Sequence, residues 1–208
     1  KEYDAEYVAG DKISDLAVLK IKNSDLEPAV FGNSDELFSG QNVVAIGRAH
    51  QSNIKRRSAA EVGDIIAVTG KLGASSKGLV DIMFGDVHTP AAKIHFKAQA
   101  RTNEGAWLGT RSEVHAMMDV SDGIASDIKH IMELSKVGAE ISLEKIPTDY
   151  DIRFATTGGE DYELLFTVPL EMRERIMNLG CIDIIGHITP AEQGKVLVTP
   201  DGAEIALE

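Results

Sequence analysis

The feature that most constrains this chain is a change of period at a single point. The run His115–Val120, "HAMMDV", is apolar enough for a buried strand. Directly after Ser121-Asp122-Gly123, Ile124, Ile128, Ile131 and Ser135 recur at helical spacing, with Lys129 and Glu133 on the opposite side. A strand that feeds an amphipathic helix buries one against the other, which calls for a sheet with helices packed on it. Gly138 is predicted to stop the helix. Other segments fit the same plan. Strands are predicted over "GDIIAVTG", "AEISLEKIP", "GGEDYELLFTVP", "CIDIIGHIT", "GKVLVT" and "AEIAL", the last two joined by a "PDG" hairpin turn. Helices are predicted over "SSKGLVDIMF", "ARTNEGAWLGT" and "EMRERIMNLG". The expected class is α+β.

Residues 1–47 read as a separate β segment. "EYVAGD" and "NVVAIG" are strands, and "DLAVLKIK" carries apolar residues on both sides, which predicts burial on both faces. The polar, basic stretch 48–60 reads as a connector, its "KRR" at Lys55–Arg57 as a solvated charge run with contact to phosphates as the alternative. Two domains are expected, 1–47 and 48–208.

Composition narrows the function. The net charge of -12 argues against a nucleic-acid binder, because phosphate backbones need a basic surface. A small anionic ligand stays open if a divalent cation neutralises it. No apolar run approaches the roughly 18 residues of a membrane span. Cys181 is the only cysteine, so no intrachain disulfide forms, and a cytoplasmic location is expected. The chain opens on Lys1 rather than Met, which reads as a processed or excised piece.

The acids at the strand–helix junction have two readings. In the plain one, Ser121 is the N-cap and Asp122 sits in the first helical turn, where the helix dipole favours a carboxylate. In the functional one, Asp122 holds Mg²⁺ beside free helix N–H groups that face a phosphate, Asp119 adds a second oxygen, and Gly123 lets the backbone approach closely. Asp127 reads as a solvated helix residue, and His115 and His130 as structural. "TTGGEDYELLF" poses the same choice: Gly158-Gly159 is a tight turn, or Glu160 and Asp161 accept hydrogen bonds from an amine-bearing ligand.

"AMMDVSDGIASDIKHI", "VGAEISLEKIP", "ATTGGEDYELLFTVP", "EVGDIIAVTGKLGASSKGL" and "ARTNEGAWL" together resemble the C-terminal, AIR synthase-related domain of thiamine-monophosphate kinase, from about Ala45 to the end. The resemblance implies a mixed sheet with packed helices. It implies transfer of the γ-phosphoryl of ATP to thiamine monophosphate, with Mg²⁺ and a homodimer. It places Asp122 among the catalytic metal- and phosphate-binding groups, accompanied by Ser121, and Gly158, Gly159, Glu160 and Asp161 near the thiamine phosphate. The chain departs from the family in having no "DDAA"-type metal motif before Ala45 and no aromatic tail, which predicts impaired transfer; a catalytically inert scaffold or interaction module is the alternative. Residues 1–47 resemble a fragment of the trypsin-like barrel of an HtrA-type serine protease, with Asp15 at the triad aspartate, so a chimera is expected. All six histidines follow Asp15 and no Gly-x-Ser-Gly-Gly occurs, so proteolysis is the least favoured reading.

Overall fold

A computed structural model describes residues 4–11, 16–22, 51–199 and 201–206. The chain divides into two compact units, Lys1–Gly47 and Arg48–Glu208.

In the first unit, β1 (Ala5–Asp11) pairs antiparallel with β2 (Leu16–Ile21), with a register shift between Tyr7 and Ala9. Val18 and Leu19 of β2 are 58% and 61% exposed, so burial on both faces is not found. A two-stranded ribbon pairs one edge of each strand and supplies no second layer to bury its faces. Asp15 and "NVVAIG" lie outside the described residues.

The second unit is built on a mixed sheet. In chain order its strands are β3 (Ile65–Thr69), β4 (Met117–Asp119), β5 (Gly138–Ser142), β6 (Leu164–Val168), β7 (Ile182–Thr189), β8 (Lys195–Val198) and β9 (Glu204–Ala206). Across the sheet they run β4-β6-β3-β7-β5-β8-β9, antiparallel except for the parallel pair β5 and β8. Every residue of β3 is buried because helices cover both faces. Ile66 and Val68 join Leu165, Ile185 and the stripe Ile124, Ile128 and Ile131 of α4 (Ile124–Ser135). Ile65 and Ala67 point the other way, into Phe166, Leu108 of α3 (Thr102–Gly109) and Ile176 of α6 (Arg173–Met177). The period of two in β3 thus divides one apolar run between two cores.

Three expectations change. β4 is an edge strand of intermediate exposure rather than a buried one, since among the described residues only β6 pairs with it, and Arg56 bridges the adjoining Ala116. Helix α4 stops at Lys136, which takes the left-handed conformation at φ 58°, and Gly138 instead opens β5. Gly138 is needed there for space: a Cβ would meet Pro190 O at 2.5 Å. Two helices were not foreseen beside α1 (Ala74–Met83): α2 (Pro90–Phe96), with Thr89 as its cap and Pro90 in its first turn, and α5 (Ile152–Thr157), capped by Asp151. Both carry ordinary start signals in runs too short for helical periodicity to register.

Candidate metal and phosphate site

After β4 the backbone N–H of Val120 still donates to Glu163 O, at 2.7 Å. The chain then turns, and α4 begins at Ile124 with Gly123 as its cap residue, at φ 97°. Ser121 is therefore not the cap, and Asp122 lies before the first turn rather than in it. Only glycine fits at 123: besides its positive φ, a Cβ would meet Gly158 O at 2.6 Å and Thr156 O at 2.8 Å.

The turn before the helix is tied down by Asp127, which is fully buried and not solvated as expected. Its Oδ2 accepts the N–H groups of Ser121 at 3.0 Å and Asp122 at 3.1 Å. Reaching back from the first turn, it satisfies donors that the helix itself cannot. Its Oδ1 is buried without a hydrogen-bond partner. Burial pushes the Asp127 carboxyl above the ordinary carboxylate range, the two N–H donors pull it back, and the charges of Asp122 and Asp119 add to the push.

Asp119, Ser121, Asp122 and Asp127 line a cleft of about 610 Å³. His130 lines it too, a turn along α4. It does not stand alone as expected: ligand atoms of Asp122, Asp127 and His130 all lie within 4.8 Å of one another. His115 is elsewhere, with Nδ1 2.9 Å from Asp64 Oδ2. The basic run Lys55-Arg56-Arg57 lines the same cleft and is no free linker. Met117 N donates to Arg56 O at 3.3 Å, Lys55 Nζ donates to Arg111 O, and Ser135 Oγ donates to Arg57 O at 3.0 Å. The strap is thereby held along the β4 edge, bordering the cleft that the acids also line.

The glycine-led loop docks on this turn. Glu160 N donates to Ser121 O and Tyr162 N to Val120 O, both at 2.9 Å. Gly159 permits the approach, since a Cβ there would overlap Ser121 O, and one at Gly158 would overlap Ser76 Oγ. The strand starts only at Leu164, so Glu160 and Asp161 do not alternate across a sheet. Glu160 takes φ 66° and is exposed, 3.7 Å from His95 Nδ1. Asp161 turns inward: Oδ2 accepts Gly73 N at 2.6 Å and Oδ1 accepts Ser75 N at 3.1 Å, at the start of α1. Burial raises its carboxyl against the pull of those two donors, and Glu163 adds to the rise.

Arg101 and Glu163 escaped sequence reasoning. Glu163 is buried, and accepts Arg101 Nε and Nη2 at 2.6 Å each and Thr69 Oγ1 at 2.5 Å. Its carboxylate holds Arg101 above even the usual guanidinium range. An acid one residue before an apolar strand was the available signal. Arg101 and Asp119 both border an apolar hollow of about 380 Å³, and Arg101 also borders a cleft of about 560 Å³ beside Lys93, Glu160 and Asp161. Neighbouring hollows thus share lining residues, Asp119 between the first and second and Arg101 between the second and third.

This is an α+β fold in which a strand–turn–helix acid cluster shares a cleft with a basic strap, and the chain belongs to the family described as AIR synthase related protein, C-terminal domain, whose model matches residues 61–206. It is homologous to thiamine-monophosphate kinases. That of Buchnera aphidicola from Schizaphis graminum is 33% identical over 177 residues, covering 73% of this chain and 53% of the relative. That of Methanospirillum hungatei is 34% identical over 191 residues, covering 87% and 62%. A solved structure of AaThiL complexed with AMPPCP and TMP matches with TM-score 0.60 and 30% identity, over 72% of this chain and 51% of that one. The chain spans about half the length of the Buchnera relative. The Methanospirillum alignment takes a larger share than residues 48–208 contain, so it reaches into the first unit.

Proposed function

We propose that this chain carries part of the site of an ATP-dependent kinase that converts thiamine monophosphate to thiamine diphosphate. The observation that supports this most is the hydrogen bond from Glu160 N to Ser121 O, which joins two acid-bearing turns beside a basic strap. Phosphoryl transfer asks the protein mainly for positioning and charge neutralisation. Asp119 and Asp122 suit the oxygen chemistry of Mg²⁺, which when bound would neutralise phosphate charge. The turn of Ser121 and Gly123 faces the phosphates, and Arg57, which lines the same cleft, meets their charge. Gly158 and Gly159 set the loop against that turn, where Glu160 is exposed to take the amine-bearing part of the acceptor. Asp161 serves through position, because both its oxygens hold the start of α1. A homodimer remains part of this proposal, checked by light scattering. Among the described residues no helix is long and apolar enough to cross a membrane.

For residues 1–47, an alignment to a kinase that extends into them weighs against a foreign protease fragment. Asp15 lies outside the described residues and no Gly-x-Ser-Gly-Gly motif occurs in the sequence, so nothing supports proteolysis.

The test is calorimetric titration with Mg²⁺–ATP and then thiamine monophosphate, alongside an assay for thiamine diphosphate. Binding that weakens at least tenfold in Asp122→Ala supports the proposal. Absence of binding, or binding indifferent to that substitution, replaces it with an inert scaffold.

A further inference from the structure

The acid cluster contains one feature that a phosphate-facing Mg²⁺ site does not require: an imidazole. Asp122 is exposed, Asp127 is buried and His130 is half-buried, and one ligand atom from each lies within 4.8 Å of the others. Around a cation with bonds of about 2.0–2.2 Å, neighbouring donors stand about 3–3.6 Å apart, so small side-chain rotations close the gap. Two acids and a histidine near one another do not by themselves make a site. The second observation is Asp127 Oδ1. It belongs to a fully buried carboxylate bordering the cleft, and no donor among the described residues reaches it. Buried carboxylate oxygens are normally partnered, and an unpartnered one calls for an ion or a water. Oδ2 is already held by two backbone N–H groups, which fixes the carboxylate's orientation and leaves Oδ1 as the free acceptor.

We propose that Asp122, Asp127 and His130 bind a borderline divalent cation of the Zn²⁺ type, in preference to Mg²⁺. The preference follows from donor chemistry. Imidazole nitrogen suits Zn²⁺ and its neighbours, whereas Mg²⁺ takes oxygen ligands and keeps several waters. Asp127 and His130 are three residues apart on α4, so the helix itself presents both to the cleft. Asp122 arrives from the preceding turn, whose N–H groups Asp127 holds, so the ligand that orders the loop also reaches the cation. The site shares Asp122 with the proposed kinase site but does not depend on the kinase reading.

The experiment uses the full chain, stripped with chelator and titrated separately with Zn²⁺, Mn²⁺ and Mg²⁺ by calorimetry, with electron paramagnetic resonance for Mn²⁺. One equivalent of Zn²⁺ is expected to bind at least tenfold tighter than Mg²⁺ or Mn²⁺. His130→Ala is expected to remove at least tenfold of that affinity, and Asp127→Asn a similar factor. His88→Ala, at an exposed histidine outside the cluster, is expected to change nothing. Circular dichroism verifies that each variant is folded; should Asp127→Asn fail to fold, His130→Ala decides alone. Zn²⁺ binding that ignores His130→Ala, or that is no tighter than Mg²⁺ binding, overturns the proposal. Loss of Mg²⁺–nucleotide binding with Zn²⁺ binding intact would overturn only the kinase reading, and the reverse pattern only this one.

Discussion

Two turns in this molecule look alike as strings, Ser121-Asp122-Gly123 and Gly158-Gly159-Glu160-Asp161, yet their acids do opposite things. At the first, one buried carboxylate, Asp127, ties the turn with a single oxygen and keeps the other unpartnered, while Asp119 and Asp122 face a cleft. At the second, Asp161 and Glu163 use both oxygens on protein donors, and only Glu160 is left facing outward. Acid density therefore does not identify a ligand site. The count of unpartnered oxygens does, because an oxygen committed to a backbone N–H or a guanidinium has little left for a cation.

The comparison can be broken by substitution, most forcefully at Glu163. Glu163→Ala strands Arg101 and Thr69, and should lower stability by about 3 kcal/mol in urea denaturation, at the low end for a buried pair because Arg101 is partly exposed. The paired change Arg101→Met with Glu163→Leu should cost clearly less, and an equal cost would show that the pair contributes more than mutual compensation. Next comes Gly159→Ala. Its methyl overlaps Ser121 O, so the two turns must part, at about 1–3 kcal/mol. Binding of nucleotide should fall with it, and retained binding would show that the turns act separately.

Asp161→Asn turns an amide NH₂ toward one of two backbone donors and should cost about 1–3 kcal/mol. Its pH dependence has a defined sign. Burial raises the folded carboxyl above its unfolded value, so within that window the folded chain holds a proton that the unfolded chain has lost. Wild-type stability from this group falls as pH rises through the window, while the variant lacks the slope. The penalty should therefore shrink from acidic toward neutral pH, as urea midpoints at several pH values would reveal. The smallest effect is expected at Asp127→Asn. The amide oxygen can replace Oδ2 toward both N–H groups, and a buried charge is removed, so stability should stay within about 1 kcal/mol. If this substitution costs as much as Asp161→Asn, the contrast between the turns fails.

Much was legible from local pattern. Ile124, Ile128 and Ile131 announced α4 and its buried stripe, and the apolar runs announced the strands of the sheet. The α+β class follows from those alone, because periodicity reports which face of an element is buried. Gly123 and Gly159 were marked as positions of close approach or turn. What they approach, each other's loops, could not be read.

The rest belonged to partners distant in sequence. Asp127 looked like a solvated helix acid until Ser121 and Asp122 folded over it. Lys55–Arg57 looked like linker until β4 offered an open edge, and Glu163 met Arg101 and Thr69 from elements 62 and 94 residues away. The sequence by itself determined which segments are strands and helices, since that depends on neighbours a few residues apart. Only the tertiary structure decided which carboxylate oxygens remain available, because a side chain's protonation and ligand capacity are set by the donors, charges and burial that distant segments bring to it.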